Sequence, residues 1–367
     1  MHRLTLMVGV TLAMASAGFT GEIVELPVPE GAQTIQPTGV SANGLVVVGT
    51  FATPSGQDAF VWKENEGIRS LGRLDGASDG YSAAVSADGR VIVGSSGTMG
   101  FRWTEAEGMV DLGIPDGMES VESNGVSADG GVIVGSMRTA DRHHHAMMWS
   151  AADGITDLGI LPEDDNSYAL GVSPDGTVIV GYGDLSNTGK IPSMLMWKRS
   201  ANPAATEGGA TYRLEKVGNG AKLRSVSADG SMAAGDERAF AKLAGLWKSG
   251  EGNGWRRLGG LGTDGESFGY AISDDGALVV GASFFSFSGS GQGRAFLWDD
   301  HTEEMRELLS VLGKEGIDGA GRWTNLVNPL DISGDAISGY NIVGQGIVDG
   351  RLRVFLVRGL KLSKEGR

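Results

Sequence analysis

The sequence contains no cysteine and few basic residues, with 30 Lys and Arg against 45 Asp and Glu. The absence of cysteine excludes disulfides and thiol chemistry, so a buried core must stabilise the fold. The net charge of −15 argues against binding to nucleic acid or to anionic lipid, because both require clustered Lys and Arg. These absences leave a soluble protein with neutral or cationic partners as the expectation.

The first seventeen residues have the features of a secretory signal peptide. A basic start at Arg3 leads into the apolar run Leu4–Ala15, and Ala15-Ser16-Ala17 supplies the small-x-small pattern that signal peptidase cleaves. We therefore expect cleavage near Ala17 and a secreted protein, whether periplasmic, on the cell surface or extracellular. No later run is long enough to span a bilayer, so we expect no transmembrane segment in the mature chain.

The rest of the chain repeats one unit. Residues 84–94 read AVSADGRVIVG and residues 125–135 read GVSADGGVIVG, each followed by a Trp and then by a Leu-Gly pair. With the Val or Ile before the first Ser as marker, the copies are spaced 45, 41, 46, 54, 46 and 60 residues apart. The markers are Val40, Val85, Val126, Val172, Val226, Ile272 and Ile332. Four short β-type runs per copy predict an all-β fold, a single seven-bladed β-propeller of four-stranded antiparallel blades over residues 18–360, with 361–367 as a tail.

The connections predict two different faces. Asp-Gly between runs one and two predicts a tight two-residue hairpin, and the connection between runs three and four is also short. The connections between runs two and three, and between successive copies, are longer and more variable. An up-and-down blade places these two sets on one side, which we call the variable-loop face, opposite the tight face. Function commonly lies on variable loops held by a rigid scaffold.

The two ends of the chain predict how the ring closes. The seventh copy lacks a fourth run, whereas Glu22–Pro27 has the fourth-run pattern with no first run before it. Pairing both ends in one blade removes an open sheet edge, so we expect the N-terminal strand to complete the last blade. The one helical pattern, Thr302–Leu312, is predicted to pack in the connection into that blade.

The repeats resemble the HAF repeat family of bacterial extracellular proteins, which is named for a His-Ala-Phe triplet before the Trp. Partial forms of the triplet are His145-Ala146-Met147, Asp58-Ala59-Phe60 and Arg294-Ala295-Phe296, and the Val-Ser-Ala-Asp-Gly and Val-Ile-Val-Gly segments match more closely. The resemblance covers about Pro37–Val357. It implies secretion and a repeat architecture, and it assigns no catalytic residues.

Several residues that could bind a ligand or take part in catalysis have a structural role that the repeat predicts. A turn Asp recurs in five copies, and turn geometry accounts for it, at Asp88, Asp129, Asp175, Asp229 and Asp275. His143, His144 and His145 alternate faces in a strand, so at most His143 and His145 could share a metal. No nucleophile elbow is present, and His301 is the only other histidine outside the leader, so we expect no catalytic triad. One Trp in each of the first six copies predicts inter-blade core rather than a sugar platform, at Trp62, Trp103, Trp149, Trp197, Trp247 and Trp298.

The variable-loop face remains, where acidic loops carry aromatic residues. The candidate ligand-binding residues are Asp79, Tyr81, Glu163, Asp164, Asp165, Tyr168, Asp264, Phe284 and Phe285. Around a channel mouth these carboxylates would raise a negative potential, and the apolar groups beside them suit a carbohydrate, a cation or Ca²⁺. The alternative is that the loops are simply solvated, because no loop has the spacing of a six-ligand calcium site.

The sequence therefore predicts a secreted binding or surface-interaction module. Its expected partners are an extracellular glycan or a surface protein, and Ca²⁺ is the candidate cofactor. A secreted glycoside hydrolase or lyase, with two loop carboxylates as acid and base, is the alternative. No motif places an acid, a base and a nucleophile together, so we favour a protein without catalytic activity.

Overall fold

The computed structural model describes residues 21–184, 191–201, 212–238, 242–251, 254–285 and 293–363. Across these ranges, 28 strands form seven antiparallel sheets of four strands each. The predicted signal peptide, residues 1–17, lies outside the described residues. In the described part of the chain no helix has both the length and the apolar character needed to cross a membrane.

Each sheet is one blade, and six blades are continuous in sequence. The first strand, β1 (Glu22–Glu25), belongs to the last blade. Blade one comprises β2 (Thr34–Val40), β3 (Val46–Thr53), β4 (Gly56–Lys63) and β5 (Gly67–Gly72). Blade two comprises β6 (Gly80–Val85), β7 (Ile92–Ser96), β8 (Met99–Thr104) and β9 (Gly108–Asp111). Blade three comprises β10 (Met118–Val126), β11 (Ile133–Thr139), β12 (His144–Ser150) and β13 (Gly154–Asp157).

The remaining blades follow the same order. Blade four comprises β14 (Asn166–Val172), β15 (Val178–Asp184), β16 (Ser193–Arg199) and β17 (Tyr212–Asn219). Blade five comprises β18 (Ala221–Val226), β19 (Met232–Glu237), β20 (Ala244–Lys248) and β21 (Trp255–Gly259). Blade six comprises β22 (Glu266–Ile272), β23 (Leu278–Phe284), β24 (Arg294–Asp299) and β25 (Glu304–Glu307). After helix α1 (Leu308–Lys314), blade seven comprises β26 (Trp323–Asp335), β27 (Gly339–Val348), β28 (Arg351–Leu360) and β1.

The order of blade seven, β1-β28-β27-β26, confirms the predicted closure. The strand β1 pairs antiparallel with β28, with Glu22 opposite Arg358 and Glu25 opposite Phe355. The Arg358 guanidinium then joins two blades, because it bonds Glu22 at 2.5 Å and Glu64 of blade one at 2.6 Å. The chain is a seven-bladed β-propeller. Its two termini share one sheet, as the sequence predicted.

The Asp-Gly turns are longer than the predicted two-residue hairpin. In blade two, the Ser86 N–H donates to the Val91 carbonyl at 2.9 Å, and the Gly89 N–H donates to the Ser86 carbonyl, with Gly89 at φ 74°. The buried Ser86 hydroxyl donates to Asp88 at 2.7 Å and accepts from the Val91 N–H at 3.0 Å. The serine thus organises the turn together with the Asp-Gly pair, and the loop spans four residues.

The Trp residues pack between blades, as predicted. Trp197 is fully buried against Val134 and Met148 of the preceding blade, and Trp103 is 6 % exposed against Val48 of blade one. The partly buried Trp149 packs against Val93 of blade two in the same manner. These contacts place most of the apolar core at the blade interfaces.

The predicted helix begins later than expected. The strand Glu304–Glu307 is the fourth of blade six, so α1 starts at Leu308 rather than at Thr302. Pairing of this segment with β24 outweighs its helical spacing. Leu308, Val311 and Leu312 are buried in the core that joins blades six and seven, which agrees with the predicted packing role.

Candidate ligand-binding site

A β-bulge interrupts the innermost strand of every blade at the same position. The extra residue lies two positions before each marker, and a bulge leaves such a residue out of the ladder and re-aims its side chain. The seven bulge residues are Thr38, Ala83, Asn124, Leu170, Arg224, Tyr270 and Leu330. All seven line the central channel. We call them the bulge ring.

The glycine that ends each Val-Ile-Val-Gly segment makes room for the bulge. A Cβ on Gly181 would lie 1.8 Å from the Tyr168 carbonyl oxygen, and one on Gly235 would lie 1.9 Å from the Lys222 carbonyl oxygen. No side chain fits at such distances, so the position requires glycine. The most regular motif of the sequence therefore fixes the backbone geometry that presents the bulge ring.

Two cavities meet at the bulge ring. The inner cavity, about 430 Å³, reaches the tight face, where the small turn residues Ala87 and Ala128 line it. The outer cavity, about 240 Å³, is lined by Gln36 and Pro37 on the side where the innermost strands begin, at the variable-loop face. Six members of the ring line both cavities, namely Thr38, Asn124, Leu170, Arg224, Tyr270 and Leu330. The ring therefore separates an inner chamber from an outer mouth.

Two carboxyl groups line the inner chamber. Asp331 occupies the position after the bulge, and its Oδ2 accepts a hydrogen bond of 2.9 Å from the Val40 N–H of blade one. The other six blades have small residues there, namely Gly39, Ala84, Gly125, Gly171, Ser225 and Ala271. Burial raises the pKa of Asp331 to about 7, and it also raises the pKa of Asp274, which accepts a bond from the Gly334 N–H at 3.1 Å.

Arg224 is the one cationic residue among the described side chains that line the two cavities. Its Nε donates to Oδ1 of the fully buried Asp236, and Arg238 approaches the other oxygen of that carboxylate at 3.4 Å. Lys222 lies directly opposite Asp236 in the β18–β19 ladder. Burial and the nearby Arg238 and Arg224 lower the pKa of Lys222 to about 8.

Stacked aromatic rings lead from blade three to this cationic group. His144 stacks on Tyr168 with ring centroids 5.0 Å apart, and Tyr168 stacks on Tyr182 at 4.6 Å. The Lys222 ammonium lies 3.5 Å from the centroid of the Tyr182 ring, a cation–π contact. Burial raises the pKa of Tyr168 to about 12, so its phenol stays protonated at neutral pH. The stack holds the Lys222 ammonium beside Arg224.

Three of the predicted loop carboxylates fasten loops to strands. Asp79 accepts from the Gln57 N–H of blade one at 3.0 Å, and this bond lowers its pKa. Asp164 accepts from the Ser193 hydroxyl at 3.2 Å, although burial raises its pKa. Asp264 accepts from the Ser283 hydroxyl at 2.8 Å and from Arg294 at 2.9 Å, with only 7 % of its side chain exposed.

The other predicted residues have varied surroundings. Glu163 pairs with Lys216 at 3.1 Å, which lowers the pKa of Glu163. Asp165 is half-buried, and its N–H donates to the Asp184 carbonyl at 2.8 Å. Tyr81 is exposed. Phe284 packs edge-on against Phe268 with centroids 5.9 Å apart, while Phe285 is 75 % exposed. Of the nine predicted residues, Tyr168 is the one that joins the stacked side chains leading to the channel.

The three adjacent histidines have separate partners. His145 Nδ1 lies 2.7 Å from the Asp157 carboxylate, and His143 Nε2 lies 3.9 Å from Asp141. His144 belongs to the aromatic stack. Over the described residues, no three His, Cys, Asp or Glu side chains gather closely enough to hold a metal ion.

Sequence reasoning missed the bulge ring because it looked for chemistry in the loops. When the copies are aligned on their markers, the residue two positions before the marker varies from Ala to Arg. The residue one position before the marker is small in six copies. This contrast between neighbouring positions is the sequence signal that could have identified the bulge ring. Tyr270 and Arg224 do not stand out within their own copies, since their special position arises only from the bulge.

Solved structures share this fold at low sequence identity. A puromycin hydrolase is 12 % identical, with a TM-score of 0.60 over 92 % of this chain and 58 % of its own. An oligogalacturonate lyase in complex with manganese is 12 % identical, with a TM-score of 0.58 over 92 % of this chain and 97 % of its own. The β-propeller domain of the Trilobed protease from Pyrococcus furiosus is 9 % identical, with a TM-score of 0.52 over 89 % of this chain and 96 % of its own. No protein-family model and no curated protein matches the sequence.

These likenesses concern the fold alone. This chain spans 58 % of the puromycin hydrolase, so it corresponds to part of that protein. The neighbours are named as a hydrolase, a lyase and a domain of a protease, so they share a fold and no single activity. The function has to be argued from the channel and its lining.

Proposed function

We propose that this protein is a secreted β-propeller binding module that takes its ligand at the channel mouth on the variable-loop face. The bulge ring carries this proposal. Seven backbone positions of equal geometry bear Thr, Ala, Asn, Leu, Arg, Tyr and Leu. The blades therefore differ from one another at the column that rings the channel, and six of its seven members line both cavities. A structural role common to all blades would favour the same residue in each.

The size and chemistry of the two cavities support a small ligand or the end of a longer one. The inner cavity, about 430 Å³, is at the lower end of the range for small-molecule sites, and the outer cavity, about 240 Å³, lies just below that range. Such sites combine apolar walls with a few polar groups that fix orientation. Here Leu170 and Leu330 supply apolar wall, and Asn124, Arg224 and Tyr270 supply the polar groups.

An array of extracellular glycans, probed with and without Ca²⁺, tests the binding proposal. We expect at least one glycan to bind the parent protein, and the variant Asn124→Ala/Tyr270→Phe to lose that binding. The matched control is Val110→Ala, at a residue that is 44 % exposed on the outermost strand of blade two, outside the two cavities. Equal binding by all three proteins would contradict a site at the channel. A dependence on Ca²⁺ would identify a metal as part of the complex.

A secreted hydrolase or lyase remains the second candidate, and one observation favours it. Asp331 combines a pKa of about 7 with a place in the inner chamber, where Asp274 also lies. A carboxyl group with such a pKa can act as a general acid at neutral pH. Glycosidase and polysaccharide lyase assays on the parent and on Asp331→Asn test this role. Turnover that disappears in Asp331→Asn would favour the enzyme, and no turnover on any substrate would favour the binding module.

A further inference from the structure

We propose that the channel mouth recognises a carboxylate group on the ligand, and that Arg224 is its direct partner. This inference rests on the proposed function and names the class of ligand for the same site. It runs against the overall charge of the chain, which is −15.

Arg224 is positioned to offer free donors to a ligand. Its Nε is held by the buried Asp236, while no described group accepts a hydrogen bond from its two terminal nitrogens. Its side chain is 30 % exposed, and it lines both cavities. A guanidinium fixed through Nε presents its terminal N–H groups in a plane that suits a carboxylate.

The charges around Arg224 favour an anion at the mouth. Lys222 and Arg238 add two further positive charges near Arg224, against the carboxylates Asp236 and Asp184. The mutual repulsion of the three cations helps to lower the pKa of Lys222, and a bound carboxylate would relieve it. No described carboxylate forms an ion pair with Lys222, whose ammonium rests on the Tyr182 ring.

The inner chamber gives the site a direction. Asp331 and Asp274 lie on the tight-face side of the bulge ring, where an anionic group would meet like charge whenever either carboxyl group is ionised. The outer side, at Arg224, carries no such carboxyl group among the described lining residues, so we place the carboxylate there and a neutral part of the ligand against the rest of the ring. Tyr270 adds a hydroxyl for which the described residues supply no hydrogen-bond partner, and the Asn124 side chain donates to the Ala169 carbonyl at 3.0 Å, which leaves its own amide oxygen as an acceptor.

The carboxylate can come from an acidic sugar or from a small organic acid, and calorimetric titration with three probes separates these sources. Trigalacturonate carries carboxylates on a sugar chain, its methyl ester carries the same chain without charge, and succinate carries carboxylates without a sugar. We expect one or both acids to bind and the methyl ester to bind at least 10-fold more weakly. Binding by trigalacturonate alone indicates an acidic sugar, and binding by succinate as well indicates a general carboxylate site.

Removal of Arg224 must abolish this preference. Arg224→Gln alone would leave the buried Asp236 charge without its closest partner and so endanger folding. The double variant Arg224→Gln/Asp236→Asn removes both charges, and we expect it to bind the acids about 10- to 100-fold more weakly. The matched control is Arg213→Gln, on the outermost strand of blade four with 72 % of its side chain exposed.

Three results would overturn the proposal. These are equal affinity for the acid and its methyl ester, unchanged affinity in the folded double variant, and no binding of either acid at millimolar concentration. If neutral glycans nevertheless bind at the ring and lose binding in Asn124→Ala/Tyr270→Phe, the binding module stands while the carboxylate inference fails. If nothing binds on the array either, the proposed function itself fails.

Discussion

Replacing Asp331 by asparagine should stabilise the protein relative to the parent, and this gain in free energy of unfolding should be larger at neutral pH than at acidic pH. The folded protein holds the Asp331 pKa at about 7 because the carboxyl group is buried, whereas an unfolded aspartate has a pKa of about 3.9. Between these values the folded state binds a proton that the unfolded state has lost. The stability from this proton is fully present below about pH 4 and is lost as the pH rises to about 7.

The size of the effect follows from that difference in pKa. About three pKa units correspond to roughly 4 kcal/mol, an upper value because the group lines a chamber that water can enter. Asparagine keeps an acceptor for the Val40 N–H and does not ionise. Asp331→Asn should therefore gain as much as about 4 kcal/mol on the parent between about pH 4 and pH 8.

Urea denaturation at several pH values between these limits measures the effect. Asp129→Asn is the matched control, because the Ser127 hydroxyl and the Gly131 N–H lower the pKa of that turn carboxyl. Asp129 is then ionised across the upper part of the range, so the difference between this control and the parent should stay level from about pH 5.5 to pH 8. An Asp331→Asn difference that also stays level would show that Asp331 ionises as an ordinary aspartate and would refute the reasoning.

Three further predictions concern the scaffold. Deleting residues 22–27 should lower the melting temperature far more than deleting 362–367, because it removes the strand β1 that completes blade seven; equal melting temperatures would contradict closure by β1. Trp103→Ala should cost about 3 to 5 kcal/mol in free energy of unfolding, since the ring is buried between blades, and a loss under about 1 kcal/mol would contradict that burial. Ser127→Ala should cost about 1 to 3 kcal/mol by urea denaturation, because it leaves the buried Val132 N–H without its side-chain acceptor, whereas an unchanged midpoint would mean that water replaces the hydroxyl.

The fold could be predicted from the sequence because the same pattern of β-type runs recurs in successive copies. Each marker from Val40 to Ile332 lies in the innermost strand of its blade, and the incomplete seventh copy together with Glu22–Glu25 identified the closing strand. The predicted helix begins too early because Met305 fits helical spacing as well as it fits the fourth strand, where it pairs with Trp298. Local periodicity cannot decide between the two when a neighbouring strand is available for pairing.

The candidate site could be predicted far less well. Asp79, Asp164 and Asp264 stay predicted ligand-binding carboxylates, and the structure adds that each accepts hydrogen bonds that tie a loop to a strand. The sequence shows where an Asp stands, but it does not show which distant residue donates a hydrogen bond to its carboxylate. Arg224 and Tyr270 lie in β-strands rather than in loops, and they reach the channel because of a bulge. The bulge leaves two traces in the sequence, a glycine on the next strand and a small residue after the bulge position.

The most direct test of a ligand site in the channel is to fill the channel and measure binding. Ala83 is the smallest member of the bulge ring, and Ala83→Trp would place an indole among the other ring side chains. The matched control is Val110→Trp, at a residue 44 % exposed on the outermost strand of blade two. With the ligand selected on the array, Ala83→Trp should abolish binding at an unchanged melting temperature, while Val110→Trp should bind like the parent. Undiminished binding by a folded Ala83→Trp variant would contradict a site in the channel.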